Sequence, residues 1–352
     1  MMHLTQEEQD MLNGARGETV RKCMKVLVTL GEIYGADHMI EVKNVHTPGV
    51  SYRVAGDAGL GYVRDASQDA KFCVPTTLNT IGIDEQDWKK IGFPEEFSHK
   101  QLELSKAYRD LGAISTCSCT PYLNGNIPMF GEHIAWGESS AVAFVNSVIG
   151  ARTNREGGPT ALAAAITGRV PAYGYHLDEN RRGTHLIQVD VELKTDKDFA
   201  ALGYFGGKIA GKDVPVFTGI KKRPTLEQFK ALGAALASAG AVALYHVVGF
   251  TPEAPTKEAV ISDDIQPIIF DQAAYDKTCE KFSQTGPIDF VVLGCPHVSI
   301  NEFEEIAGLV RGKKLKSALW VCTSRMVRDL ADRMGFVDDI VKAGGEIICD
   351  TC

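Results

Sequence analysis

The stretch STCSCTPYLNGN, residues 115–126, sets Cys117 and Cys119 one residue apart, follows them with Thr120-Pro121 and runs into a turn. A thiol presented at a strand end by a proline-locked turn is well placed to ligate a metal. The remaining cysteines, Cys23, Cys73, Cys279, Cys295, Cys322, Cys349 and Cys352, are scattered without a dense framework. Structural zinc favours two C-x-x-C pairs, and only Cys349/Cys352 has that spacing. A thioredoxin-like reading fails on context, because no helix follows Cys352 to depress a thiol pKa. Three thiols from three distant loops suit instead an iron–sulfur cluster with one iron left open. Such an iron is a Lewis acid able to bind a hydroxyl and a carboxylate, as elimination of water requires. On spacing alone the reading in which the cysteines only pack is the stronger of the two.

Other stretches offer anion-binding chemistry. HTPGVSY and AGDAGLG, within residues 46–63, are glycine-rich and able to present backbone N–H groups to a phosphate or carboxylate. GARTNREGGP (150–159) puts Arg152, Asn154 and Arg155 on one loop, where guanidinium groups suit a carboxylate clamp. GEHIAWGESSAV (131–142) gathers Glu132, His133 and Glu138 but lacks the second histidine of a zinc-protease motif. Glu138, Ser139 and Ser140 read as helix-capping residues or as substrate contacts at a helix start. No glycine run has Rossmann or P-loop spacing, so a nucleotide enzyme is disfavoured. His176 and His297 read as hydrogen-bonded histidines.

These residues need a scaffold, and the chain is long enough to build one. Its 352 residues are 44% hydrophobic, with a formal charge of −8 that is not organised in runs, so a nucleic-acid surface is disfavoured. The first residues lack the apolar core of a secretory signal, and reduced thiols in the cytoplasm are the expectation. Thr5 and Glu8 form a capping-box start, and an apolar-periodic helix is predicted over 17–34. Residues 46–63 are predicted to be a glycine-rich loop, 70–84 a strand broken at Pro75, 98–111 a helix and 112–120 a short strand. Beyond 225 helices alternate with strands predicted at 241–249, 288–293, 317–322 and 346–349, which implies a parallel sheet. Cys295, Cys322 and Cys352 then follow strand ends, where such sheets present functional groups. We expect three regions, 1–112, 113–223 and 224–352, and a natural chain that continues past the final strand.

Taken together, GVSY (49–52), VPTTLN (74–79), CTPYLNGNIP (119–128), GEHIAWGESSAVAFVNSVIGARTNREGGP (131–159), YGYHLDENRRG (173–183), LGCPH (293–297) and DTC (350–352) resemble the large subunit of the aconitase X family. The resemblance runs in order along nearly the whole chain. It implies an aconitase-like α/β architecture with parallel sheets flanked by helices, lacking the swivel domain, which a small partner subunit would supply. It implies Cys119, Cys295 and Cys352 as ligands of a [4Fe-4S] cluster with one open iron, leaving Cys117 and Cys349 as neighbours. Gly49, Val50, Ser51, Asn79 and Thr80 would hold substrate, with Glu138 and Ser139 lining the same pocket, and the catalytic base would lie on the small subunit. The implied activity is an iron–sulfur hydro-lyase. Its archaeal type dehydrates (R)-5-phosphomevalonate in a modified mevalonate pathway, and its bacterial type dehydrates cis-3-hydroxy-L-proline. The loop at 46–63 resembles the archaeal form, while Thr80 stands where that form has proline. A non-catalytic iron–sulfur protein is the alternative of a different class.

Overall fold

The computed structural model describes residues 2–351. The chain is α/β and divides into two compact units. The first comprises residues 1–127, 156–171 and 287–352, and the second 128–155 and 172–286, so that residues 113–223 contribute to both.

In the first unit, the Thr5–Glu8 capping box starts helix Gln6–Leu12 as predicted, and helix Glu18–Tyr34 buries Cys23, Met24 and Leu27 on one face. Helix Gly158–Thr167 packs against it. Strand Val45–Thr47 pairs in parallel with Thr76–Leu78, which begins directly after Pro75. Strands Phe290–Leu293, Ala318–Thr323 and Gly345–Cys349 form a parallel sheet with Ala318–Thr323 in the centre. Helices Ile300–Val310, Arg325–Arg333 and Phe336–Ala343 supply its core through Phe303, Ala307, Ala331 and Ile340. The βα alternation of the sequence is therefore a parallel sheet, with its loops at the carboxyl ends of the strands.

In the second unit, strands His246–Val247, Pro215–Thr218, His185–Asp190 and Pro267–Asp271 form a parallel sheet in that order. Helices Asp196–Ala210 and Leu226–Ala239 start with capping boxes at Thr195 and Thr225. They pack so closely that a Cβ on Gly203 would sit 2.5 Å from the Leu232 carbonyl oxygen.

Three local expectations are corrected. Residues 46–63 are not one loop: it ends at Ser51, and helix Tyr52–Asp69 follows with a break at Gly56 (φ 58°). Leu60, Val63 and Ala66, buried at three-residue intervals, carry the helical period that the glycines obscure. Residues 112–120 make only a single bridge from Ile114 to Thr77, and Cys117 at φ 43° turns the chain away from strand geometry. Residues 241–249 contribute only His246–Val247, whereas Pro267–Asp271 is a strand the sequence pattern did not mark.

Candidate functional site

Cys119 lies buried in the loop after Ile114, and its Sγ accepts the backbone N–H of His297 at 3.1 Å. An N–H aimed at sulfur favours the thiolate, the form that ligates iron. His297 is fully buried, with Nε2 3.0 Å from the Thr351 carbonyl oxygen and Nδ1 3.1 Å from Ser118 Oγ. A carbonyl oxygen only accepts, so Nε2 carries the proton and Nδ1 accepts from the Ser118 hydroxyl. Ser118 Oγ in turn accepts from Thr120 N–H at 3.2 Å and Asn124 Nδ2 at 3.2 Å. The histidine read from sequence as merely satisfied thus ties the Cys119 loop to the Cys295–His297 loop and to Thr351, the residue before Cys352. Cys295 is exposed at the end of strand Phe290–Leu293. Cys352 lies outside the described residues. Cys117, two residues before Cys119, is buried, and burial pushes its thiol well above the ordinary range, as expected of a packed neighbour.

The loops carrying Gly49–Ser51 and Asn79–Thr80 lie in the same unit as Cys119. Ser118 N–H donates to the Leu78 carbonyl at 3.1 Å, which sets Asn79 beside the cysteine loop, and Asn79 N–H donates to Thr47 at 3.1 Å. Ile81 N–H reaches the Asp350 carbonyl at 2.8 Å, joining the Thr80 turn to the segment ahead of Cys352. Ser51 occupies the N-cap of helix Tyr52–Asp69, yet its hydroxyl does not cap the helix. Ser51, Thr80, Gly82 and Thr351 line one cavity of about 650 Å³, which Phe97 and Trp320 also line.

Two devices that hold these loops were not evident in the sequence. Gln101, fully buried on helix Glu95–Leu111, accepts from Tyr52 N–H at 2.7 Å and Gly82 N–H at 3.2 Å, and donates from Nε2 to the Val50 carbonyl at 3.0 Å. One side chain therefore fixes the Gly49–Ser51 loop against the Thr80–Gly82 turn. A Cβ on Gly82 would lie 2.7 Å from the Phe97 ring and 2.9 Å from Ser51 Oγ, so only glycine permits that approach. Asp84, fully buried, accepts from Arg325 Nη2 at 2.6 Å and from Cys349 N–H at 2.9 Å, while Asp350 accepts from the same Arg325 nitrogen at 2.6 Å. Burial pushes the Asp84 carboxyl up, but the Asp87 and Cys349 N–H groups and Arg325 outweigh it and hold the group below the usual range. At Asp350 burial prevails over Arg325, and the net direction is up. This bridge pins the strand end before Cys352, where Asp350 adopts a left-handed backbone at φ 65°.

The donor set suits an iron–sulfur cluster. Cys119 carries an N–H···S bond, Cys295 is accessible, and the Oδ1 of buried Asn124 and the Oγ1 of buried Thr47 have no hydrogen-bond partner in a region already dense in polar groups. Among the described residues no three His, Cys, Asp or Glu side chains gather as a metal site; the third expected sulfur is Cys352.

Glu138 and Ser139 lie in the second unit. Glu138 is the N-cap of helix Ser139–Phe144, accepting from Ala141 N–H at 2.6 Å and Ser140 Oγ at 2.8 Å, and burial raises its pKa. The Arg/Asn loop is engaged by its own unit: Arg152 binds the His176 carbonyl and Asp178, Asn154 holds Tyr173 and Tyr175, and Arg155 donates to the Ala241 and Val242 carbonyls. These contacts account for the three side chains without an outside carboxylate.

The fold and site define an α/β chain that gathers thiols and polar loops at the ends of parallel strands. Models of the aconitase X first, second and third domains match residues 1–179, 183–280 and 288–352, and the chain belongs to the aconitase X family. It is 46% identical to the phosphomevalonate dehydratase large subunit of Methanocaldococcus jannaschii, covering 100% of this chain and 89% of that protein. It is 48% identical to that of Methanothermobacter thermautotrophicus, covering 100% of this chain and 88% of the relative. The cis-3-hydroxy-L-proline dehydratase of Pseudomonas aeruginosa is 34% identical over 98% of this chain and 61% of its own length. A crystal structure of Thermococcus kodakaraensis aconitase X in its holo-form superposes with a TM-score of 0.91 at 46% identity, covering 100% of this chain and 89% of that one. The expected aconitase-like α/β fold is thereby established, and the family relation points to an iron–sulfur cluster.

Proposed function

We propose that this chain is the large subunit of a phosphomevalonate dehydratase, a hydro-lyase that converts (R)-5-phosphomevalonate to trans-anhydromevalonate 5-phosphate in a modified mevalonate pathway. The observation that carries this reading is identity: four of five archaeal relatives of that name are 44–48% identical over the whole chain, the fifth being 34% identical, and neither hydroxyproline dehydratase exceeds 34%. In the reaction the C3 hydroxyl and a C2 proton leave as water and a C2–C3 double bond forms. Cys119, Cys295 and Cys352 would hold a [4Fe-4S] cluster, which when bound supplies an open Lewis-acid iron that polarises the leaving hydroxyl. His297 donates its backbone N–H to the Cys119 sulfur and its Nε2–H to the Thr351 carbonyl, tying the two loops together. Gly49, Val50, Ser51, Asn79 and Thr80 orient the substrate, with Gln101 fixing the two loops that carry them. Glu138 and Ser139, at a helix start in the second unit, are the remaining substrate-binding candidates that the family resemblance implies. The C2 proton goes to a base on a small swivel-domain subunit, in keeping with the large-subunit names of the relatives. The test is anaerobic reconstitution with iron, sulfide and the small subunit, followed by dehydration assays on phosphomevalonate and cis-3-hydroxy-L-proline side by side. Turnover of phosphomevalonate is expected; turnover of the proline alone would assign the second activity of the family instead.

A further inference from the structure

The cavity beside Ser51 holds a charge that nothing above uses. Arg53, exposed at the second residue of helix Tyr52–Asp69, is the single charged side chain among the residues lining it. Among the described residues Arg53 has no hydrogen-bond or ion-pair partner. The nearby carboxylate, Asp57, is occupied by Lys100 at 3.2 Å and by the Tyr52 hydroxyl at 2.9 Å. Two residues before Arg53, the Ser51 hydroxyl faces the same cavity without capping its helix. Ser51, Arg53 and Thr80 give this lining polar groups, and Phe290, Val292 and Trp320 give it apolar surface.

A substrate with a carboxylate and tertiary hydroxyl at one end and a phosphomonoester at the other needs a second anion subsite, away from the cluster ligands. A phosphomonoester carries about −1.5 to −2 charges near neutral pH. The chain has a formal charge of −8, so a cavity without a cation would repel such a group. A guanidinium without a competing carboxylate, next to a free hydroxyl, offers the bidentate donors that phosphate takes best. We propose that Arg53 is the phosphate anchor of this cavity and selects a phosphorylated hydroxy acid over its unphosphorylated counterpart. The proposal rests on the dehydratase reading above for the identity of the substrate, and on the cavity alone for the anion.

Two measurements separate the two. In the reconstituted complex with the small subunit, Arg53→Gln should raise KM for phosphomevalonate about 10–100-fold with kcat within about twofold of wild type, and Arg53→Lys should recover most of the loss. An unchanged KM in Arg53→Gln, with wild type active, overturns the anchor and leaves the dehydratase reading standing. In the second measurement, inorganic phosphate is titrated into wild-type and Arg53→Gln complexes by calorimetry. Affinity weakened at least about tenfold in the variant supports the anchor even if the wild type dehydrates only the proline, and equal affinity overturns it. Because the Arg53 side chain makes no hydrogen bond or ion pair among the described residues, the variant should unfold at the wild-type temperature.

Discussion

Cys119 and Cys117 are the same residue type two positions apart, both are buried, and the proposed cluster gives them different parts. Cys119 receives the His297 N–H, whereas Cys117 is buried with its thiol pushed well above the ordinary range. Cys119→Ala should therefore abolish cluster retention after anaerobic reconstitution, and Cys117→Ala should keep most of it. Iron and acid-labile sulfide per chain are the readout, and equal iron in the two variants would defeat the assignment. The resemblance already selected Cys119, but the bond its sulfur accepts comes from a residue 178 positions away, which no spacing rule reaches.

At the scale of elements, helix Glu95–Leu111 acts on the site through Gln101. Gln101→Leu leaves Tyr52 N–H, Gly82 N–H and the Val50 carbonyl without their partner. Each fully buried group left unmade costs roughly 1–3 kcal/mol, and because the two N–H groups are only part-buried a stability loss at the lower end of the sum, on the order of 3–4 kcal/mol, is expected in denaturant titrations. Because the two loops held by Gln101 carry Ser51 and Thr80, KM for phosphomevalonate should rise as well; a variant that is destabilised with KM unchanged would confine Gln101 to a structural part. In the second unit, His133 and His176 share a hydrogen bond between their Nδ1 atoms at 3.0 Å, so one donates and the other accepts. Burial lowers the His176 pKa to about 3, with the charges of His133, Arg181 and Arg152 acting in the same direction. A histidine lowered in the folded state contributes stability that is fully present above its unfolded pKa near 6.5 and is lost as pH falls toward 3. In that window each pH unit should cost up to about 1.4 kcal/mol through this group. Urea titrations from pH 7 to 4 should give a shallower loss for His176→Phe than for wild type, and identical slopes would remove His176 from the acid response.

For the whole molecule, each unit carries its own parallel sheet and core, while the chemistry proposed here needs a proton acceptor assigned to a second chain. The purified, reconstituted large subunit should bind phosphomevalonate yet turn over only when the small subunit is added. Dehydration by this chain alone would place the base within it. No described helix is long and apolar enough to cross a membrane.

The sequence by itself determined the alternation of helices and strands from residue 288 on, because 3.6- and 2-residue periodicities and capping boxes such as Ser299–Glu302 act over a few residues. It also carried the family, through long stretches such as residues 119–159. It misread residues 52–63, where glycine's turn signal masked a helical period that only packing of Leu60 and Val63 makes decisive. The tertiary structure alone decided how the loops are held. Gln101 reaches Val50 across 51 positions, Arg325 reaches Asp84 across 241, and His297 reaches Ser118 across 179. A hydrogen bond depends on distance in space, and a single sequence carries no record of which distant segments the fold brings within 3 Å.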